Sequence, residues 1–231
     1  MKLALALLLA AAPVSGALAQ AAQDPAEAAR DNKLSQAIQL IQSGKPQAAI
    51  DILNPLIVEY QGIYRGDRQK LCKVEEYETA AYATLPGGRN AMLVEGGWCI
   101  ALWAKGYAMI DLQQLDGSIL FLERAVTMAP LHPHYLSELG YAYQAQKNWQ
   151  RSYDTYARAA QAASREAPER RNKSLRRAWF GMAYDAIQMG RLDEAETLYR
   201  KCLVLTPEDQ AVKDQLQYVT EQKAKKAKPT S

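Results

Sequence analysis

The chain has few of the residues that most reaction centres need. Its 231 residues include two histidines and three cysteines, and the formal net charge at pH 7 is +3. His132 and His134 form an H-x-H pair with no third histidine, and no cysteine lies nearby to complete a zinc site. No phosphate-binding loop, nucleophile elbow or metalloprotease motif is present in the sequence. We therefore predict no catalytic residue, no metal site and no cofactor, and the small net charge predicts no nucleic-acid partner.

Long apolar runs are also scarce, and the one at the N-terminus is too short to cross a membrane. Leu3 to Ala12 is unbroken, whereas a membrane span needs about 20 apolar residues. Lys2 precedes the run, and Ala17-Leu18-Ala19 has the form of a signal-peptidase site. We predict that residues 1–19 are a signal peptide cleaved after Ala19 and that residues 20–29 are a flexible mature N-terminus. The protein is then expected to be periplasmic or secreted and not membrane-spanning.

Helical periodicity dominates the rest of the chain, and no convincing strand pattern accompanies it. A pattern of about 34 residues recurs with its landmarks in phase, ending at Pro130 in one copy and Pro207 in another. Small residues recur where two helices would touch, and they form the pairs Gly106 and Ala125, Gly140 and Ala159, and Ala183 and Ala195. The step before the last copy is longer by about nine residues. The spacing predicts stacked helical hairpins.

These landmarks resemble the tetratricopeptide repeat. The best-matching copy has Trp179, Met182-Ala183, Gly190, Ala195, Leu198-Tyr199, Cys202 and Pro207. The resemblance implies an all-α solenoid of stacked helical hairpins, with three repeats over residues 98–207 and a C-terminal capping helix over 208–225. Residues 226–231 would be a basic tail. Residues 30–61 resemble a degenerate repeat hairpin, in which Pro55 is expected to kink or stop the second helix. The sequence is also similar to uncharacterised bacterial periplasmic proteins of this superfamily.

Residues 62–97 do not follow the repeat and are interpreted as an insertion with one helix. We expect that helix over Lys70–Leu85, followed by a break at Pro86-Gly87-Gly88. Cys72 falls in the expected helix and Cys99 begins the next repeat. In an oxidising compartment these two cysteines can form a disulfide, and the alternative is a pair of buried, reduced thiols. Cys202 takes a core position and is expected to stay unpaired.

The resemblance implies that a partner is held by first-helix residues that project into a concave groove. The residues predicted on this basis are Trp103, Tyr107, Ile110, His134, Tyr141, Gln144, Arg177, Phe180 and Tyr184. Tyr107, Tyr141 and Tyr184 occupy equivalent positions in successive repeats, and such rings suit an extended peptide or an amphipathic helix. The alternative is that the rings are buried against neighbouring helices. Relatives that clamp a terminal carboxylate have Lys and Asn where this chain has Trp103 and Tyr107, so that activity is not expected.

The predicted function is thus an exported, non-catalytic scaffold that binds a protein or peptide partner in the concave groove. One charged segment suggests a different function. Residues 165–177 contain six basic residues and two acidic ones, and they suggest a binder of an anionic cell-envelope polymer. The competing interpretation of this segment is a solvated helix extension.

Overall fold

Helical hairpins account for most of the chain. The computed structural model describes residues 24–227, so the predicted signal peptide and most of the basic tail lie outside the described residues. The helices are α1 (Pro25–Gln42), α2 (Pro46–Ile63), α3 (Glu76–Ala81), α4 (Gly96–Asp111), α5 (Leu115–Met128), α6 (Pro133–Ala145), α7 (Trp149–Ala163), α8 (Pro168–Gln188), α9 (Leu192–Leu205) and α10 (Gln210–Ala227). The strands are β1 (Lys70–Lys73) and β2 (Met92–Glu95). The predicted all-α solenoid is confirmed.

Four antiparallel hairpins share one turn geometry. Each turn has one residue in the left-handed region, and these residues are Gly44, Gln113, Lys147 and Gly190. In every turn the next amide donates to a carbonyl five residues back, as in Lys45 N to Leu40 O at 2.9 Å and Arg191 N to Ala186 O at 2.8 Å. These bonds satisfy carbonyls that the helix end leaves unpaired. The hairpin α1–α2 therefore has the same construction as α4–α5, α6–α7 and α8–α9.

Neighbouring helices approach closely where glycine replaces a side chain. The ring of Tyr156 on α7 lies between Gly140 on α6 and Gly181 on α8, and a methyl group added to Gly181 would come within 2.4 Å of that ring. A methyl group on Gly106 would come within 2.6 Å of Leu122. Glycine at these positions lets the helices pack at a distance that any larger residue would prevent.

The insertion differs from its prediction. Residues 70–73 form a strand rather than the start of a helix, and β1 pairs in parallel with β2, with Lys70 opposite Met92 and Lys73 opposite Glu95. Only Glu76–Ala81 is α-helical within the range predicted to be one helix, and Tyr82–Thr84 is a short 3-10 turn. The helix prediction was wrong for residues 70–73 because a four-residue strand has no periodicity that distinguishes it from a helix turn. Its partner strand is also distant in sequence.

A disulfide fixes this insertion to the repeats. Cys72 on β1 is bonded to Cys99 on α4, and both side chains are fully buried. The Tyr82 hydroxyl donates to the carbonyl oxygen of Cys72 at 2.8 Å, which covers the free edge of β1. Cys202 is buried and unpaired.

Pro55 does not stop α2, contrary to expectation. The helix continues from Pro46 to Ile63 with Pro55 inside it. Pro55 and Asp51 are both exposed, so water can satisfy the carbonyl of Asp51 that the missing amide leaves unpaired. The prolyl ring also faces solvent and does not disturb the packed side of the helix.

The last repeat is longer and is covered at its end. The extra residues lengthen its first helix, α8, which begins at Pro168. Helix α10 packs on α9, with Val212 and Val219 fully buried, and Lys223 forms an ion pair with Glu196 at 2.7 Å. This arrangement covers apolar surface that the array would otherwise expose. Within residues 24–227, no helix is both long and apolar enough to cross a membrane.

Candidate partner-binding groove

A cavity of about 710 Å³ opens on the side of the array formed by the first helices of the hairpins. All four first helices contribute to its wall: α1, α4, α6 and α8. The lining residues are Ile38, Ile41, Gln42, Trp103, Tyr107, Ile110, Asp111, His134, Glu138, Tyr141 and Arg177. We call this cavity and its lining residues the groove. Of the nine predicted partner-binding residues, the structure places Trp103, Tyr107, Ile110, His134, Tyr141 and Arg177 here.

The charged side of the groove is an interaction between α6 and α8. Glu138 is only 3% exposed, and Arg177 Nη2 donates to its Oε1 at 2.8 Å. Arg177 Nη1 also lies 3.2 Å from His134 Nδ1. Desolvation inside the groove, with smaller contributions from Arg177 and His132, lowers the pKa of His134 from 6.5 to about 4. His134 is therefore neutral at physiological pH and accepts the guanidinium hydrogen bond.

The aromatic side of the groove remains open to solvent. Tyr141 is 46% exposed, and Trp103 and Tyr107 are partly exposed. The ring centroids of Trp103 and Tyr107 are 5.9 Å apart, with a tilt of 40° between the rings. Burial raises the pKa of Tyr107, and the nearby carboxylates of Glu138 and Asp111 add to this effect. The predicted alternative, in which the rings are sealed between helices, does not describe Tyr141.

Three predicted partner-binding residues have other contacts and do not line the groove. Gln144 Nε2 donates to Asp185 Oδ1 at 2.9 Å, so it ties α6 to α8. Phe180 packs edge-on against Tyr199 with centroids 5.3 Å apart, on the side of α8 that faces α9. Tyr184 packs against Trp149. The expected ladder of three tyrosines is therefore shortened to Tyr107 and Tyr141, because the last repeat packs its aromatic residues against α7 and α9.

Five groove residues were missed by the sequence analysis. Ile38, Ile41 and Gln42 come from α1, whose repeat pattern is too degenerate to assign positions. Asp111 and Glu138 lie on recognised repeats, but outside the first-helix positions implied by the resemblance. Glu138 is followed by Leu139-Gly140, a landmark of the repeat, so the sequence predicts its place on the helix. The sequence does not predict that Glu138 is buried beside Arg177.

The insertion is connected to Trp103 of the groove through contacts of Glu78, His132 and Tyr135. Glu78 on α3 is fully buried, and its Oε1 lies 2.5 Å from Nδ1 of His132. The ring of His132 packs edge-on against Tyr135 with centroids 3.9 Å apart, and Tyr135 stacks on Trp103. The insertion thus helps to hold the Trp103 ring in place. Within the described residues, no three histidine, cysteine or acidic side chains converge as metal ligands would.

The basic segment 165–177 is largely the first half of α8, and three of its arginines form ion pairs. Arg170 makes two hydrogen bonds to Glu75 at 2.8 and 3.0 Å, which joins α8 to the insertion. Arg176 binds Asp209 at 2.8 Å. Arg177 belongs to the groove. The structure therefore assigns these three arginines to contacts within the chain, which weakens the case for a polymer-binding surface.

Stacked hairpins with an open inner face define an α-solenoid. The family model described as Tetratricopeptide repeat matches residues 133–206, which span α6 to α9. Residues 133–206 are therefore similar to the tetratricopeptide repeat. Repeats of this family generally have no catalytic role and form interaction surfaces. No curated protein matches the chain significantly.

Solved structures with the same fold are distant in sequence. PilF of Pseudomonas aeruginosa has a TM-score of 0.62 and 15% identity, with 87% of this chain and 72% of that chain covered. A double mutant of MamA from RS-1 has a TM-score of 0.58 and 12% identity, with 84% of each chain covered. The Sgt2 TPR domain from Aspergillus fumigatus has a TM-score of 0.50 and 20% identity, covering 58% of this chain and 85% of that chain. At these identities the similarity concerns the fold alone.

Proposed function

We propose that the chain is an exported tetratricopeptide-repeat scaffold that binds a protein or peptide partner in the groove and catalyses no reaction itself. The observation that carries the proposal is that all four first helices line one open cavity. A segment of chain bound there could contact side chains from all four hairpins. Its mixture of aliphatic, aromatic and charged residues is typical of peptide grooves.

The open aromatic rings supply the binding energy in this proposal. A partner side chain that covers Tyr141 and the exposed edges of Trp103 and Tyr107 removes apolar surface from water. Each Å² of apolar surface buried contributes about 25 cal/mol. The tyrosine hydroxyls stay available for hydrogen bonds with the partner backbone. Binding is stoichiometric, and the hairpins need no rearrangement to expose the site.

Export is part of the same proposal. The Cys72–Cys99 bond supports it, since disulfides persist in oxidising compartments and are rare in the cytosol. The N-terminal features that predict a signal peptide support it independently. N-terminal sequencing of protein recovered from a periplasmic extract is the test: a first residue of Gln20 is expected. An intact Met1 in a cytosolic fraction would contradict export and leave groove binding untouched.

Site-directed crosslinking in cells tests the groove itself. A photoreactive residue replaces Tyr141, and a matched control replaces Val204, which is 80% exposed on α9 and does not line the groove. We expect a specific protein adduct from position 141 that the control does not give. The adduct should weaken in a Tyr107→Ala background. Equal labelling from both positions would refute groove binding.

A further inference from the structure

The groove carries an uncompensated negative charge, although the chain as a whole is positive. Its charged lining residues are Asp111, Glu138 and Arg177, and the last two neutralise each other at 2.8 Å. His134 adds no charge, because its Nδ1 lies 3.2 Å from Arg177 Nη1 and can only accept that hydrogen bond as a neutral ring. Asp111 is exposed at the end of α4, and its side chain forms no hydrogen bond or ion pair with any described residue. One carboxylate therefore faces the cavity without a cation.

Aromatic rings lie beside this carboxylate. Tyr107 is one helical turn before Asp111 on α4, and both line the groove with Tyr141 of α6. The face of an aromatic ring attracts a cation, and the attraction grows when water is excluded. A carboxylate and two tyrosine rings together suit an ammonium or guanidinium group. The groove is also lined by Ile38, Ile41 and Ile110, which suit an aliphatic or aromatic side chain.

We infer that the segment held in the groove carries an apolar side chain next to a lysine or arginine, whose charge binds Asp111 beside Tyr107 and Tyr141. This inference rests on the proposed function and specifies its ligand. An acidic segment is disfavoured for two reasons. Its carboxylate would meet Asp111, and it would have to displace Glu138 from Arg177, which would leave a buried carboxylate unpaired.

Binding of fluorescein-labelled peptides to the mature protein, followed by fluorescence anisotropy, tests the inference. Three peptides capped at both ends share the same apolar residues and differ at one position, which is lysine, glutamine or glutamate. We expect the lysine peptide to bind most tightly and the glutamate peptide most weakly. Asp111→Asn should weaken the lysine peptide by about threefold to fivefold, since a partly exposed ion pair contributes up to about that factor. Asp111→Lys should reverse the order of the peptides.

Asp67→Asn is the matched control, because Asp67 is an exposed aspartate outside the groove. Equal binding of the three peptides, a preference for glutamate, or the same effect from Asp111→Asn and Asp67→Asn would overturn the inference while groove binding stands. If no peptide binds and Tyr141 gives no crosslink, the proposed function itself fails. Sedimentation of the protein alone is run in parallel. A dimer that Tyr141→Ala dissociates would place a second copy in the groove and would also overturn the inference.

Discussion

Replacing Gly181 with alanine tests how the last two hairpins are packed. Gly181 lies within α8, and a methyl group built there would come within 2.4 Å of two carbon atoms of the Tyr156 ring. Ordinary carbon contacts are about 3.5–4.0 Å. The ring is 4% exposed, and Gly140 on α6 also lies close to it. Neither the ring nor the helix can move away without disturbing a second helix.

Two opposing effects determine the size of the change. Alanine favours a helix interior over glycine by about 0.5–1 kcal/mol. An added methyl group in a packed core costs about 1–3 kcal/mol or more. Because the overlap exceeds 1 Å and involves a buried ring that Gly140 also approaches closely, we place the cost at the upper end of that range. Gly181→Ala should therefore lower the free energy of unfolding by about 1–2 kcal/mol.

Urea unfolding followed by far-UV circular dichroism measures this change. The matched control is Gly62→Ala, since Gly62 is also helical but has no atom within 4 Å of the added methyl group. That variant should be as stable as the parent or more stable, by up to about 1 kcal/mol. A Gly181→Ala protein more stable than the parent would refute the packing described above.

A double-mutant cycle separates the clash from other effects. Tyr156→Leu removes the ring and will itself destabilise the protein. In that background Gly181→Ala should cost less than in the parent, with a coupling energy of about 1 kcal/mol or more. Additive effects of the two substitutions would show that the ring is not what the methyl group meets.

Three further predictions concern stability. Replacing both Cys72 and Cys99 with serine should lower the free energy of unfolding by about 3.5 kcal/mol, because the bond closes a loop with a separation of 27 residues and so lowers the entropy of the unfolded chain. Urea unfolding of the variant should be insensitive to reductant. An unchanged unfolding midpoint would contradict this value. His132→Leu should cost about 1–3 kcal/mol in the same assay. It removes the shortest contact of the fully buried Glu78 carboxylate and leaves only the hydroxyls of Tyr77 and Tyr82 at 3.3 and 3.5 Å. A stability equal to the parent would show that the contact with His132 contributes nothing. Burial raises the pKa of Asp185 to about 6. Between about pH 4 and 6 the native state therefore binds more protons than the unfolded state. The contribution of Asp185 to the free energy of unfolding falls as pH rises through that window. Asp185→Asn should be more stable than the parent by about 1–3 kcal/mol near pH 7 and equal to it near pH 4; a constant difference at all pH values would refute this assignment.

The repeat architecture was predictable because it depends on local spacing. The small residues Gly106 and Gly140 recur in phase with the repeat of about 34 residues, and a hairpin is made by residues close in sequence. The groove positions of Trp103, Tyr107 and Tyr141 were implied by the resemblance to the tetratricopeptide repeat, once that phase was assigned. Phe180 lies at the predicted position of its repeat, but the prediction assigned it the wrong packing partner. It belongs to the last repeat, where α9 and not another first helix provides the packing surface.

The secondary structure of the insertion was predicted wrongly for a different reason. A four-residue parallel pairing between residues 70–73 and 92–95 is formed by segments whose own sequences specify neither strand nor helix. Pro55 was misjudged because a proline is tolerated inside a helix when the carbonyl it leaves unpaired faces water. Exposure at a single position is a property of the assembled helix pair, and the residue type alone does not reveal it.

The sequence by itself determined the helical class, the number and phase of the well-formed repeats, and which aromatic residues lie on first helices. Each of these depends on residues within one or two turns of each other. Only the tertiary structure decided that α1 completes the groove, that Glu138 is buried against Arg177, and that Asp111 is left without a cation. These are properties of surfaces brought together from four hairpins. The free energy of a buried or exposed charge depends on all of its neighbours in space, and few of those neighbours are near it in the chain.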